Sequence, residues 1–403
     1  MSLADAKLIP FSPKYLRLGE ALPFGVRDIR GQLLLAAGQV IDSQERLSQL
    51  ISQPLTADEE ESSDWRRRLA ATMDAMLRQN ASLKEIADAR PKGESGEAAR
   101  SVAERALPEQ WEDSYAALDA ALRDARPDSG WLMRVLDERV NVYRLAQRRP
   151  DASLYYQLWR AAQPPQRYCA QHSTLVQLVI ELAAPLLGMP ADRIERLSEA
   201  ALMMNVAMIR LQDHLAQTDQ AVSTAQRAEI AAHPGAGAAI LRRCGVDEWV
   251  CGLVAVHHAP GAATPVPSDM RLAAELLHRV DVFTAKLSRR KLREPMSPVQ
   301  AARQACLGPD GKPDAIGSAL LKALGLYPPG SFVLLASGEQ GVVVMRGRSP
   351  SQPIVASLIA STGMPMGEPT LRDTADPRWQ VRGPVAVAAM KVRPIHAKVL
   401  ALI

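Results

Sequence analysis

HSTLVQLVIELAAPLLG, residues 172–188, is apolar nearly all the way around a helical wheel. A helix without a polar face belongs inside, covered by other helices. Candidates to cover it flank it on both sides. WLMRVLDERVNVYRLA (131–146) and SLYYQLWRAA (153–162) precede it, and DRIERLSEAALMMNVAMIRL (192–211), AQRAEIAAHPGAGAAILRRCG (225–245) and DEWVCGLVAVHHA (247–259) follow. Beyond these, SDMRLAAELLHRVDVFTAKLS (268–288) starts at a Ser268–Asp269 cap, SPVQAARQACLG (297–308) at Ser-Pro, and DAIGSALLKALG (314–325) closes on Gly325. Aromatic residues make up only 4% of the chain, a composition that favours close-packed helices over sandwiches.

The hydrophobic period changes at both ends. After YPPG, SFVLLAS-GEQ-GVVVMRG (331–347) reads as a hairpin, with PIVASLIAS (353–361) and PVAVAAMKV (384–392) as further strands. Near the start, ALPFGVR and QLLLAAG read as short strands joined by DIRG, followed by a helix capped by Ser43. TADEEESSD (56–64) is a polar boundary, and ARPKGESGEAA (89–99) an exposed linker between helical patterns over 65–88 and 102–126. The expected architecture is mainly α, an all-helical bundle flanked by small β-rich units. It divides into 1–56 (β-rich), 57–129 (helical connector), 130–328 (bundle) and 329–403 (β-rich).

Charge and composition exclude several functions. A net charge of +4, from 48 basic and 44 acidic residues, creates no general field for nucleic acid or an anionic membrane. No run approaches the ~20 apolar residues of a membrane span, and the first residues lack a signal peptide's pattern, so a cytoplasmic protein is expected. Cys169, Cys244, Cys251 and Cys306 form no CxxC pair, which fits reduced thiols used as small apolar residues.

A few polar residues interrupt the apolar stripes. Met270, Ala274, Leu277 and Asp281 share one helical row, so a carboxylate continues an apolar face. Buried there, it requires a cation or strong donors; the alternative is an ion pair or helix-end contact. His257 shares a row with Val250 and Val254, and His258 with Cys251, just where the chain turns away. His172 opens the most buried helix, and His233 precedes the run in which Gly235 and Gly237 would admit a neighbouring helix. Four histidines and one inward carboxylate are the inventory of a His/Asp metal site, although a single histidine of this kind is more often a hydrogen-bonded core residue. His214, His278 and His396 are expected at the surface. In SRRKLREP (288–295), Arg290 and Arg293 stand three apart at a helix end, where they either clamp a phosphate or simply complement the helix dipole.

In their order and spacing, HSTLVQLV, EAALMMNVAMIRL, HPGAGAAIL, VHHAPG and DVFTAKLSRRKLREPMSP resemble HD-GYP domains, all-helical metal phosphodiesterases that hydrolyse cyclic di-GMP. The resemblance spans about residues 130–345, and ALGLYPPGSFVLLASGEQGVVV is similar to the segment that commonly follows such domains. It implies residual metal ligands at His172, His233, His257, His258 and Asp281, and phosphate contacts at Arg290 and Arg293. Other positions depart from the family. Tyr168 stands in place of a glutamate ligand, Met204 and Asn205 in place of the bridging His-Asp pair, and Met208 in place of a lysine. AATPVPSDM (262–270) replaces the Gly-Tyr-Pro loop.

A thioether and a neutral amide do not balance two cations, so no catalytic residues are expected. The expected cofactor content is none, or at most one zinc, iron or manganese ion. The implied role is that of a degenerate HD-GYP signalling protein, acting on partner proteins as adaptor or regulator. The alternatives are a cyclic di-GMP or nucleotide receptor that does not hydrolyse its ligand, and a single-metal phosphohydrolase with another substrate.

Overall fold

The computed structural model describes residues 8–18, 22–69 (apart from 23, 36–38, 40, 42, 60, 61, 64, 67 and 68), 76, 106–127, 130–258, 267–307 and 311–403. The helical reading of 65–88, the linker 89–99 and most of the AATPVPSDM loop lie largely or wholly outside the described residues. The chain divides into two compact units, Met1–Arg105 and Ala106–Ile403.

In the first unit, β1 (Leu8–Phe11), β2 (Val26–Arg27), β3 (Leu33–Leu35) and β4 (Leu55–Asp58) form an antiparallel sheet in the order β1-β4-β2-β3, with α1 (Gln44–Ile51) before the last strand. Ser43 caps α1 by accepting from the Arg46 N–H, as the sequence suggested. β1 and β4 were not legible as strands. Their pairing, Leu8 opposite Asp58 through Phe11 opposite Leu55, is long-range, and β4 carries the sheet two residues past the expected boundary at 56. Phe11, Phe24 and Trp65 meet edge to face in this unit's core.

The second unit begins with α2 (Leu107–Arg123), α3 (Trp131–Arg148) and α4 (Pro150–Ala161). The helix whose sequence opened the reading, α5 (Tyr168–Ala183), is buried along its length except at Leu182. Around it stand α2, α3, α4, α6 (Ala191–Met203), α7 (Ile209–Gln217), α10 (Ser268–Leu287) and α12 (Ala315–Leu324). Leu175, Val176, Leu178, Val179 and Ile180 are all within 1% of complete burial. At ~1.5–3 kcal/mol for each such side chain removed from water, this face drives assembly of the bundle. α8 (Thr224–Arg243), α9 (Glu248–Val256) and α11 (Pro298–Cys306) complete it. Gly237 admits α9 closely: a Cβ there would lie 3.4 Å from Val254, whereas Gly235 faces open space.

Two helix readings change. DRIERLSEAALMMNVAMIRL is two helices, broken over residues 204–208 by turns in which Val206 N–H donates to Met203 O and Met208 N–H to Asn205 O. α10 starts at Ser268 itself, after Pro267, with no side-chain cap.

The C-terminal strands β5 (Phe332–Leu335), β6 (Gln340–Met345), β7 (Ile354–Ile359), β8 (Pro365–Asp373) and β9 (Val381–Pro384) form an antiparallel sheet ordered β8-β7-β6-β5-β9. The β5–β6 hairpin and β7 match the sequence reading. PVAVAAMKV does not continue as a strand: after Pro384 a 3-10 turn at Val387–Ala389 bonds locally, Ala389 N–H donating to Ala386 O and Met390 N–H to Val387 O. β8, PMGEPTLRD, lacks apolar alternation and is held instead by its ladder with β7. The short α13 (His396–Leu400) follows. Phe332, Val342, Val344, Ala356 and Leu358 share a core with Trp111 and Tyr115 of α2, Val142 of α3 and Tyr155 of α4. The sheet is therefore part of the helical unit. No helix among the described residues is long and apolar enough to cross a membrane.

Gly330 sets the approach between sheet and bundle. Its φ is +90°, its N–H donates to Val343 O, and a Cβ would lie 2.7 Å from Tyr155 O and 2.8 Å from Trp159 N. Gly330→Ala is expected to lower unfolding free energy by about 2–4 kcal/mol, read from urea denaturation. Gly367→Ala, where nothing lies within 4 Å, should stay within about 0.5 kcal/mol of wild type.

Candidate functional site

The site is assembled around the N-terminus of α5. Arg167, just before it, adopts a left-handed φ of +47° and offers no side-chain cap. Asp213 of α7 supplies one, accepting from the Cys169 N–H at 2.9 Å, and is paired in turn with Arg123 of α2. An anion there also complements the positive end of the helix dipole. Fixing this turn puts Tyr168 and His172, four residues apart, on one face, where their rings stack at 5.8 Å and 8°.

From His172 a polar path crosses to α10. Its Nε2 lies 2.7 Å from Asp281 Oδ1, and the other carboxylate oxygen lies 3.6 Å from His258 Nδ1. Asp281 is buried on the stripe with Met270, Ala274 and Leu277, as its spacing suggested. Burial alone would raise its pKa. The His172 hydrogen bond and the nearby imidazoles outweigh it and lower the carboxyl to about 2. His172 Nδ1 is buried without a protein partner. The hollow bordered by Ala161, Pro165, Tyr168, Gln171, His172 and Ser288 measures about 10 Å³, room for about one water and not for a nucleotide.

Opposite Asp281, the end of α9 brings His257 and His258 beside His233 of α8, with ring centroids 4.1–5.1 Å apart. One ring nitrogen from each can be chosen so that all lie within 4.8 Å of one another. His233 Nδ1 lies 2.5 Å from Ile230 O, and His257 Nδ1 lies 2.7 Å from Val254 O. Each Nδ1 carries the proton it donates to a carbonyl, so each Nε2 presents a lone pair. These two atoms face each other at 3.3 Å. Two lone pairs at that separation repel unless an electrophile lies between them. Two nitrogens about 2.0–2.1 Å from one tetrahedral ion stand about 3.3–3.4 Å apart, and a backbone acceptor on the second nitrogen is the usual support for a ligating histidine. The residues therefore fit one ion, held by His233, His257 and His258 with Asp281 alongside. His172 is committed to Asp281.

They do not fit two. Met204 and Asn205 occupy the break between α6 and α7, both buried. The Met204 carbonyl lies 3.8 Å from the Cβ position of Gly237, one turn beyond His233. The dipeptide thus borders the helix bearing His233 and offers only a thioether and a neutral amide. Met208, also buried, precedes α7.

The arginines are placed differently from their helical reading. α10 ends at Leu287, and Arg290 and Arg293 close a tight turn by exchanging backbone hydrogen bonds at 3.0 Å. Arg290 donates to the Tyr168 hydroxyl from Nε and Nη2, at 3.1 and 2.9 Å, and Arg293 donates to Ala285 O. Among residues expected at the surface, His278 is half-buried with Nδ1 2.8 Å from His257 O, so it supports the pair. His396 is half-buried against Trp159, with Nδ1 2.9 Å from the Tyr155 hydroxyl. His214 is exposed. Sequence reasoning missed Asp213, the Tyr168 hydroxyl and His278. The partners of the first two lie 44 to 122 residues away, outside any local pattern.

No family model matches the chain. The cyclic di-GMP phosphodiesterase PA4108 of Pseudomonas aeruginosa is 26% identical over 195 residues, 47% of this chain and 47% of that protein. The chain thus spans about half the length of the curated relative it matches. Among solved structures, Bd1817, an HDG"Y"P protein from Bdellovibrio bacteriovorus, aligns with a TM-score of 0.43 at 13% identity, over 78% of this chain and 99% of that one. The curated match supports the relation to cyclic di-GMP phosphodiesterases suggested by the motifs.

Burial, aided by the neighbouring His258, lowers the His257 imidazole to about 3, and burial likewise lowers His233 and His258. An unfolded histidine takes up a proton near pH 6.5 that folded His257 refuses, so metal-free protein loses stability as pH falls from 6.5 toward 3. Glu138 and Glu181, raised to about 7 by burial, act oppositely: their stabilisation is full below pH 4.5 and is lost as pH rises through 7. Comparison with His257→Gln isolates the first effect. In chelator, the wild type's advantage in unfolding free energy, read from urea denaturation, is expected to shrink between pH 6.5 and 4.5, by at most about 1.4 kcal/mol per pH unit.

Proposed function

We propose that this chain is a degenerate HD-GYP-type signalling protein that does not hydrolyse cyclic di-GMP and regulates partner proteins through its surface. One observation supports the reading: the buried Met204–Asn205 dipeptide, which borders the helix bearing His233, carries no anion, and Asp281 is already bonded to His172. Activating water near neutral pH with two metals requires bridging ligands that offset their charge. Here three imidazoles and one shared carboxylate suffice for a single ion. Such an ion would supply Lewis acidity. The chain's own part is to orient His233 and His257 through the Ile230 and Val254 carbonyls, and to keep water scarce around His172.

The facing Nε2 atoms favour a second reading, a phosphohydrolase with one metal and another substrate. A receptor for cyclic di-GMP that uses Arg290 and Arg293 would require the ligand's phosphates to displace the Tyr168 hydroxyl from Arg290.

Elemental analysis of purified protein, run beside a hydrolysis assay, tests these readings. No cyclic di-GMP turnover is expected with manganese or iron, and no more than one metal ion per chain, reduced by His257→Ala. Wild-type hydrolysis of cyclic di-GMP at an enzyme's rate would overturn the proposal. Turnover of a different phosphoester only with the metal bound would favour the second reading. Saturable cyclic di-GMP binding that Tyr168→Phe strengthens would favour the receptor.

A further inference from the structure

A second polar site lies apart from the histidines. Where α12 ends and the β6–β7 connection begins, a cleft of about 130 Å³ is lined by Lys322, Tyr327, Arg346, Arg348 and Ser349, with Pro350 at its edge. Its charge is unbalanced. Arg346 is paired with Asp151, which accepts from its Nε at 2.6 Å, and Arg346 also caps α12 by donating to Ala323 O at 2.9 Å. This arginine accounts for the usual role of a cation at a helix C-terminus. Lys322 and Arg348 are exposed, and their side chains have no hydrogen-bond or ion-pair partner among the described residues. Three cations and one carboxylate leave an excess of two positive charges around a concave surface.

We propose that this cleft binds a terminal phosphate group, either the free ion or a small phosphomonoester. Charge selects the class: a monoester carries about −1.5 to −2 at pH 7 and matches the excess, whereas a carboxylate or a phosphodiester carries half as much. Chemistry agrees, since Arg348 presents a planar fork suited to two phosphate oxygens and Lys322 a mobile point charge. The Ser349 hydroxyl, 2.9 Å from Gln352 Oε1, adds a polar group. At about 130 Å³ the cleft has room for a tetrahedral anion and a short substituent, and none of its lining residues belongs to the histidine site. The inference is therefore independent of the reading of the histidine site.

Calorimetric titration of the full chain at fixed ionic strength, with glycerol phosphate, inorganic phosphate and acetate, tests it. Saturable 1:1 binding of at least one phosphate is expected, with acetate roughly tenfold weaker and affinity falling as pH drops below about 6, where a monoester gains its second proton. Lys322→Gln with Arg348→Gln should weaken phosphate binding by roughly tenfold or more. The thermal midpoint should not change, because both side chains are exposed. Tighter binding of glycerol phosphate than of phosphate identifies the monoester as ligand, and equal binding identifies the free ion. No saturation by about 10 mM, or undiminished binding by the double variant, overturns the proposal. Undiminished binding would place the anion elsewhere.

Discussion

The second unit's polar interior is organised by one hydrogen bond, from His172 Nε2 to the buried carboxylate of Asp281 at 2.7 Å. A carboxylate on an apolar helix face is tolerated only with a partner that holds its charge. His172 is that partner, and it is in place because Asp213 fixes the first turn of α5. The same bond ties α5 to α10, across which the Tyr168–Arg290 contact makes a second polar link. Removing Asp281 would disturb both the packing of the central helix and the histidine cluster beside it.

Charge also separates what this cluster can hold from what it cannot. Imidazoles are neutral ligands, and burial keeps His257 neutral well below its ordinary pKa. Neutral nitrogens accommodate one divalent ion with a single carboxylate nearby, as zinc sites with three histidines illustrate. A second ion would add two positive charges and no anion. Met204 and Asn205, buried beside the helix that bears His233, bring only a soft thioether and a neutral amide, neither of which offsets such charge.

Legibility followed the range of the interactions. The central helix, the Ser43 cap, the β5–β6 hairpin and the inward Asp281 were readable, because each is set by residues within a few turns of one another. β1, β4 and β8 were not, since their strand identity comes from ladders with distant partners. The helical placement of Arg290 and Arg293 failed for a local reason: Ser288 is extended at ψ 135°, which ends α10 before the arginines. Of the candidate residues, His233, His257, His258, His172 and Asp281 do converge in space. Periodicity placed His257, His258 and Asp281 along apolar rows, and His172 and His233 stood out by their position at a helix start and before a small-residue run, whereas their mutual distances come from packing among helices far apart in sequence.

The break between α6 and α7 has an implication for how this fold tolerates change. Its turns are closed by main-chain donors and acceptors, from Val206 to Met203 and from Met208 to Asn205. Side chains at 204 and 205 contribute volume there but no bond that shapes the chain. Architecture at this point therefore rests on the main chain: substitutions at 204 and 205 that keep the volume can change the chemistry presented there without reshaping the polypeptide around it.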